Sequence, residues 1–151
     1  MGIRKKAAEG CQSDNVDISE VKGNIKVYIV GKIDPEIYKC ITEDIKTDEV
    51  IITDNQIRHI FERHPESFEK VFWNMRDTIT DPDYIIRDNH KYTGLVIRRL
   101  KTTEGIIQMV LRICTSEDGP QYKNSIISCW EISERRLQNY LRNKEILYSR
   151  E

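Results

Sequence analysis

A short helix that has to end at a proline is the feature that most constrains how this chain can fold. Residues 55–66 read N-Q-I-R-H-I-F-E-R-H-P-E. Thr53 and Gln56 have the spacing of a capping box, in which each side chain satisfies a free backbone donor at a helix start, and Asp54 is the alternative cap. Pro65 lacks a backbone N–H and forces the preceding residue out of helical geometry. The sequence therefore predicts a short helix bounded by this cap and this proline.

Two of the three histidines belong to this helix and its end. His59 and Arg63 are four residues apart, so they share one helix face, whereas His64 falls in the elbow before the proline. A second helix predicted over 66–79 would bring the N–H groups of its first turn beside His64, which favours a phosphate there. Histidines on a short amphipathic helix are more often ordinary surface residues than catalytic ones. The third histidine, His90, lies in the same window, and this clustering favours a functional site.

The composition is that of a globular chain. It has 151 residues, of which 38% are hydrophobic and 32% charged, and its net charge is −1. No apolar run approaches the roughly 20 residues that a membrane helix needs, and the start of the chain lacks the apolar core of a signal peptide. We therefore expect a cytoplasmic protein with reduced cysteines, in which Cys114 and Cys129 are small core residues.

Charge is distributed unevenly along the chain. Residues 87–114 carry six basic and two acidic side chains, so the remainder is acidic overall. This pattern argues against broad, non-specific binding of nucleic acid but allows one focused site for an anion.

The second half of the chain is dominated by strand patterns. Four β-branched, alternating segments are separated by turn residues, and successive strands joined in this way form an antiparallel meander. A strand, a short helix and a brief second strand precede the central helix, and Ser133 caps a final helix whose apolar side includes Leu147. The predicted class is α+β: two N-terminal-side helices, a four-stranded antiparallel meander sheet and a C-terminal helix, with a small N-terminal β-α lobe. The predicted units are a leader and small lobe over 1–50 and a main domain over 51–151.

Alternation along the predicted strands separates core residues from polar ones. Arg112 alternates with the apolar residues of the third strand, so it is expected on the opposite face from Met109, Leu111 and Ile113. By the same argument, Trp130 on the fourth strand is expected in the core with Ile126 and Ile132.

The chemistry that these residues favour is cleavage of RNA without a metal. His59 and His64 are five residues apart, not the four that place two ligands on one helix face, and no cluster of cysteines or carboxylates completes a metal site. Histidine can give or take a proton near neutral pH, and arginine binds phosphate oxygens through two parallel hydrogen bonds. Arg112 is the strand arginine favoured for this, with Arg98 or Arg99 beside it and Ser125 or Ser128 as hydrogen-bond donors. The plainer interpretation of each arginine is a solvated sheet face.

Several segments together resemble a known family of nucleases. They are H-I-F-E-R-H-P-E, D-P-D-Y-I, G-L-V-I-R-R-L, V-L-R-I-C, K-N-S-I-I-S-C-W and I-L-Y-S-R-E. This set, spread over about residues 50–151, resembles the phage-associated branch of the barnase–EndoU–colicin–RelE-like (BECR) nucleases. The resemblance implies a helix and four-strand core, metal-independent cleavage of RNA, and a role in phage or toxin-like conflict.

Site residues and partners follow from the resemblance by position. It implies a catalytic set of His59, His64, Arg63, Arg112 and Ser125. The substrate-binding residues expected with this set are Arg98, Arg99, Lys123 and Ser128. The expected protein is an endoribonuclease that needs no cofactor and no metal. Its expected partners are RNA, with tRNA among the candidates, and a protein inhibitor or a phage structural protein, but no membrane. The alternative is a non-catalytic adaptor that binds RNA or a protein on the same fold.

Overall fold

The computed structural model describes residues 26–150, so the predicted leader over 1–21 lies outside the described residues. The strands are β1 (Val27–Lys32), β2 (Glu49–Thr53), β3 (Tyr84–Arg87), β4 (Thr93–Arg99), β5 (Ile106–Arg112), β6 (Asn124–Ile132) and β7 (Ile146–Ser149). The helices are α1 (Pro35–Tyr38), α2 (Asp54–Arg63), α3 (Phe68–Trp73), α4 (Met75–Thr80) and α5 (Glu134–Asn143), and a 3-10 turn covers Pro65–Ser67. The fold is α+β, as the sequence predicts.

The sheet has seven strands in the described part of the chain, and the prediction of four was wrong. Its order is β1-β2-β6-β5-β4-β3-β7. The four predicted strands, β3 to β6, do form the antiparallel meander. The strand expected in a separate N-terminal lobe instead extends this sheet, because β2 pairs with β1 on one side and, in parallel, with β6 on the other.

The seventh strand comes from residues that the sequence placed on the final helix. Helix α5 ends at Asn143, and Lys144 has an extended backbone with ψ of 162°. The chain then returns as β7 along the free edge of β3. Leu147 therefore lies on a strand, where it packs against the larger of the two hydrophobic cores, and it does not belong to the apolar side of α5.

The second predicted helix, over 66–79, is also wrong as a single element. The chain forms the 3-10 turn, then α3 and α4, with Asn74 as the break between the two helices. Each piece has six residues or fewer. None of them offers the helix N-terminus that the sequence predicted as a phosphate site beside His64, because the dipole of a helix builds up over several aligned turns.

The sheet has a core on each face. The larger core lies under α2, α3 and α4 and includes Met109, Leu111 and Ile113, so the predicted separation of Arg112 from these three residues is confirmed. The smaller core lies under α5 and is built around Ile97, Ile132 and Leu137. Cys114 and Cys129 are fully buried, as predicted.

A β-bulge in β6 decides which residues of this strand share a face. Val110 pairs with Ser128 but Leu111 pairs with Ile126, so Ile127 is an extra residue opposite β5. An extra residue of this kind exchanges the two sheet faces to which the side chains after it would otherwise point. Ile126 therefore belongs to the larger core, while Trp130 is half-buried against the smaller one with Ile132. The predicted grouping of Trp130 with Ile126 was wrong for this reason.

Candidate functional site

Helix α2 begins and ends as its sequence requires. The Thr53 hydroxyl accepts a hydrogen bond from the Gln56 backbone at 3.2 Å, and the Gln56 side chain accepts one from the Thr53 backbone, so the capping box is confirmed. His64 caps the other end with φ of −139°, and its N–H donates to Ile60 at 3.0 Å. Pro65 then starts the 3-10 turn. The helix therefore ends with His64 in the bend that precedes Pro65.

The His64 ring lies against the sheet at Trp130. The two ring centroids are 6.1 Å apart and the planes are inclined by 21°. Strand β6 pairs with β2 only at Asn124 and Ser125, and α2 packs beside the remainder of β6. The imidazole thus lies beside the part of β6 whose outer edge pairs with no strand within residues 26–150.

His59 is separated from His64 by the turn of the helix. Five residues of an α-helix rotate a side chain by about 140°, and His59 is exposed whereas His64 is half-buried. Arg63 is also exposed and forms no ion pair within residues 26–150. The structure therefore brings His64 to the sheet, places Arg63 next to it in the chain, and leaves His59 facing solvent.

The face of the sheet that carries Trp130 also carries Arg112, Ser125 and Ser128. Arg112 pairs with Ser125 across β5 and β6, and one step further Val110 pairs with Ser128. The bulge is what places both serines on this face, since residues three apart on a regular strand point in opposite directions. Ser125 is fully buried, and Ser128 is half-buried.

Arg112 and His64 stand at opposite ends of this face. Trp130 pairs with Gln108, and Gln108 and Arg112 are four positions apart on β5, which is about 13 Å along a strand. The Arg112 guanidinium binds both carboxylate oxygens of Asp118, at 3.0 and 3.1 Å, and its side chain is 31% exposed. Of the predicted site residues, His64, Ser128, Ser125 and Arg112 therefore follow one another along the strands.

Arg98 and Arg99 lie far from Arg112. The β4–β5 register pairs Thr93 with Arg112 and Arg99 with Ile106, so about 20 Å of strand separates the two ends. The Arg98 side chain is 10% exposed and binds Asp81, while Arg99 binds the Glu134 carboxylate at the start of α5. Although burial raises the pKa of Asp81, the hydrogen bonds and charges of Arg98 and Arg150 bring it below its usual value. These contacts give both arginines structural partners.

Replacing Arg98 tests this structural role. Arg98→Met keeps an apolar stem but removes a largely buried guanidinium that binds both the carbonyl and the carboxylate of Asp81, with Arg150 remaining as a donor to that carbonyl. We therefore expect a loss of about 2 kcal/mol in the free energy of unfolding. The melting midpoint should fall by roughly 4–8 °C, while RNA binding per folded molecule stays the same. Arg99→Met is the matched control, because its ion pair is exposed and worth less than about 1 kcal/mol. If the two variants had equal melting midpoints and the Arg98 variant bound RNA more weakly, Arg98 would instead have the substrate-binding role that the sequence predicted.

Ion pairs absorb most of the basic excess over 87–114. The partners of Arg87, Arg98, Arg99 and Arg112 are Glu145, Asp81, Glu134 and Asp118, all from other segments. Lys123, just before β6, likewise binds Glu49 on β2. These long-range ion pairs neutralise most of the excess basic charge. The number of basic residues in this segment therefore does not by itself establish a focused cationic site.

Comparison with known proteins decides the family. The model of the phage-Barnase-EndoU-ColicinE5/D-RelE like nuclease2 family matches residues 27–149, from the first residue of β1 to the last residue of β7. The chain belongs to this family. No curated protein and no solved structure matched the chain in the corresponding searches. The predicted membership of the phage-associated BECR nucleases is thus confirmed, and all seven strands fall within the matched range.

Trp130 contacts His64 and Gln108 pairs with Trp130, and neither was among the site residues predicted for this BECR nuclease. The sequence predicted a core position for Trp130, with base stacking as the alternative for an exposed side chain. It did not show the contact with His64, which joins residues 66 positions apart. Gln108 had one signal: it alternates with Val110 and Arg112 on the third predicted strand. It is 2% exposed, and its Oε1 has no hydrogen-bond partner in the described region.

Residues 26–150 of this BECR nuclease contain no group of three or more His, Cys, Asp or Glu side chains arranged to hold a metal ion. None of their helices combines the length and the apolar character that spanning a membrane would require.

Proposed function

We propose that this BECR nuclease is a metal-independent endoribonuclease whose reaction centre lies at His64. The observation that carries the proposal is the contact of the His64 ring with Trp130, on a sheet face that also presents Ser128, Ser125 and Arg112. A proton-transfer group has to be held in a defined position to act in a transition state. The elbow before Pro65 and the indole together supply that position.

His64 acts on protons in the proposed reaction. The 2′-oxygen of a ribose loses its proton and attacks the adjacent phosphorus, the bond from phosphorus to the 5′-oxygen breaks, and that oxygen takes up a proton. The products are a 2′,3′-cyclic phosphate and a 5′-hydroxyl. His64 makes one of the two proton transfers. Arg63, which is next to it and has no carboxylate partner within residues 26–150, neutralises charge on the phosphorane.

Arg112 acts on a different phosphate. At about 13 Å along the strand from the Trp130 level, its guanidinium fits a phosphate farther along the same RNA strand, and Ser128 lies between the two ends. Ser125 is fully buried and pairs with Arg112 from the adjacent strand. In the free protein Asp118 binds the guanidinium, and an RNA phosphate replaces Asp118 when RNA binds. His59 faces solvent and has no part in this arrangement.

The chelator dependence of RNA cleavage tests the proposal. Because proton transfer and charge neutralisation come from side chains, excess EDTA should leave the rate of cleavage of a mixed RNA pool unchanged within about twofold. Activity that disappears in EDTA and returns with Mg²⁺ or Zn²⁺ would contradict a metal-independent mechanism. RNA that is bound but never cleaved by well-folded protein would favour the adaptor instead.

A further inference from the structure

Helix α5 borders the sheet face on which the proposed reaction centre lies. Its buried residue Leu137 belongs to the smaller core, and Trp130 packs against this same core. Strand β6 ends at Ile132 and α5 begins at Glu134, so the first turn of α5 follows directly on the Trp130 end of β6. Trp130 is therefore bordered by the end of α2, through His64, and by the start of α5.

The contacts of α5 determine which of its sides faces Trp130. Leu137 packs against the sheet, and Glu134 binds Arg99 of β4. In the strand order β6-β5-β4, β4 lies on the far side of β5 from the strand that carries Trp130. Successive residues of an α-helix are rotated by about 100°, so Arg136 and Glu134 project from opposite sides of the line through Leu137. The side of α5 that carries Arg136 therefore faces β6 and Trp130.

Arg136 carries a charge that no carboxylate neutralises within residues 26–150. Its side chain is exposed and forms no ion pair there, and the same holds for Arg135 and Arg142 of this helix. An exposed arginine of this kind is ordinarily just solvated. The direction of the side chain distinguishes these three, because Arg135 is turned away from the sheet and Arg142 lies on the Glu134 side. Arg136 is the one of the three that is directed towards the proposed reaction centre.

We propose that Arg136 binds an RNA phosphate on the far side of the reaction centre from Arg112. This inference rests on the proposed ribonuclease function. Arg112 pairs with Ser125 near the start of β6, whereas α5 follows the end of β6, so Trp130 lies between the two arginines. One RNA strand then runs along the sheet from Arg112, past Trp130, to Arg136. A guanidinium at each end binds a phosphate, and the cleaved phosphate lies between them.

Arg136 differs from Arg112 in its state before RNA binds. Asp118 accepts two hydrogen bonds from Arg112, so a phosphate has to replace this carboxylate. Arg136 has no carboxylate to release within the described residues, and it gains a charge-assisted hydrogen bond when a phosphate arrives. Because this contact is present before the reaction begins, its loss should appear in the affinity for RNA more than in the rate at saturating RNA.

Binding of a short RNA that cannot be cleaved measures this contact. The probe is a fluorescently labelled RNA of mixed sequence, about ten nucleotides long, with 2′-O-methyl groups throughout, so that the attacking hydroxyl is missing. Arg136→Ala should weaken binding of this probe roughly fivefold. It should also lower the dependence of affinity on salt by the amount expected for one phosphate contact, and the loss should be similar for probes of different sequence.

Arg135→Ala is the matched control, because it removes the same charge from the same turn of α5 but from a side chain that is turned away from the sheet. We expect this variant to bind the probe within about twofold of the wild type. Wild-type affinity in Arg136→Ala, or an equal loss in Arg135→Ala, would overturn the proposed contact. Arg136→Gln keeps most of the apolar stem, so a loss seen in the alanine variant and absent from the glutamine variant would overturn it as well.

A double variant tests whether the two arginines bind separate phosphates. Arg112→Ala and Arg136→Ala should weaken binding by factors that multiply, because distant and independent contacts contribute additively to the free energy. A double variant no weaker than either single variant would contradict two separate contacts. If the wild type bound the probe with this dependence on Arg136 but cleaved no RNA, the ribonuclease function would be refuted and the contact would stand. Cleavage of RNA by a wild type whose affinity does not depend on Arg136 would refute the contact alone.

Discussion

His64→Ala should lower the rate of RNA cleavage by about 100-fold or more while RNA binding stays nearly unchanged. A proton-transfer group acts mainly in the transition state, so its loss appears in the rate of the chemical step and not in affinity. The substitution also removes the ring contact with Trp130. That loss should cost roughly 1 kcal/mol of stability, which leaves the protein folded at 25 °C.

His59→Ala is the matched control for this result. Both variants delete one imidazole at α2, but His59 faces solvent and His64 faces Trp130. We expect the His59 variant to retain cleavage within about threefold of the wild-type rate, because removal of an exposed side chain disturbs little. Melting curves and single-turnover rates are measured on the same preparations. Equal losses in the two variants, or a His64 variant that differs only in its melting midpoint, would show that His64 is a capping residue without a catalytic role.

Arg112→Ala should weaken RNA binding by roughly tenfold, with a smaller effect on the rate at saturating RNA. Its guanidinium is proposed to hold a phosphate away from the reaction centre, so its contribution is present before the reaction begins. The dependence of affinity on salt should also fall by about one unit of slope, as for the loss of one phosphate contact. Arg112→Lys should restore affinity only in part, since an ammonium cannot form two parallel hydrogen bonds with phosphate.

The partner of Arg112 provides the control for this second prediction. Asp118 accepts two hydrogen bonds from the guanidinium, so Asp118→Asn weakens a contact that RNA has to replace. We expect this variant to bind RNA as tightly as the wild type or more tightly. Weaker binding in Asp118→Asn would show that Asp118 positions Arg112 for the phosphate rather than competing with it. If the Arg112→Ala variant bound RNA as tightly as the wild type, Arg112 would not be part of the RNA-binding site.

Features fixed by neighbours in the sequence were predictable. The capping box at Thr53 and the end of α2 before Pro65 depend on residues three or four positions apart, so the sequence contains the whole interaction. The alternation that separates Arg112 from Leu111 is likewise a local property of an extended strand. Family membership was predictable too, because it rests on short segments whose residues are visible in the chain.

Features fixed by distant contacts were not predictable. The three additional strands join the sheet through the pairing of β2 with β6 and of β7 with β3, which a reading of local patterns does not specify. The bulge at Ile127 depends on the register with β5, and it alone brings Ser125 and Ser128 to one face. The exclusion of Arg98 and Arg99 from the Arg112 region follows from the same register. Local patterns identified the segments, and long-range pairing decided which of their side chains meet.

The ends of the RNA products test the central claim most directly. A defined RNA is digested in EDTA, its main cleavage position is mapped, and a second RNA with a single 2′-deoxy substitution on the 5′ side of that position is digested in parallel. If a 2′-hydroxyl attacks with the help of His64, the first RNA should give a 2′,3′-cyclic phosphate and a 5′-hydroxyl, and the substituted position should remain intact. Products with 5′-phosphate ends, or equal cleavage of the deoxy-substituted position, would contradict the mechanism.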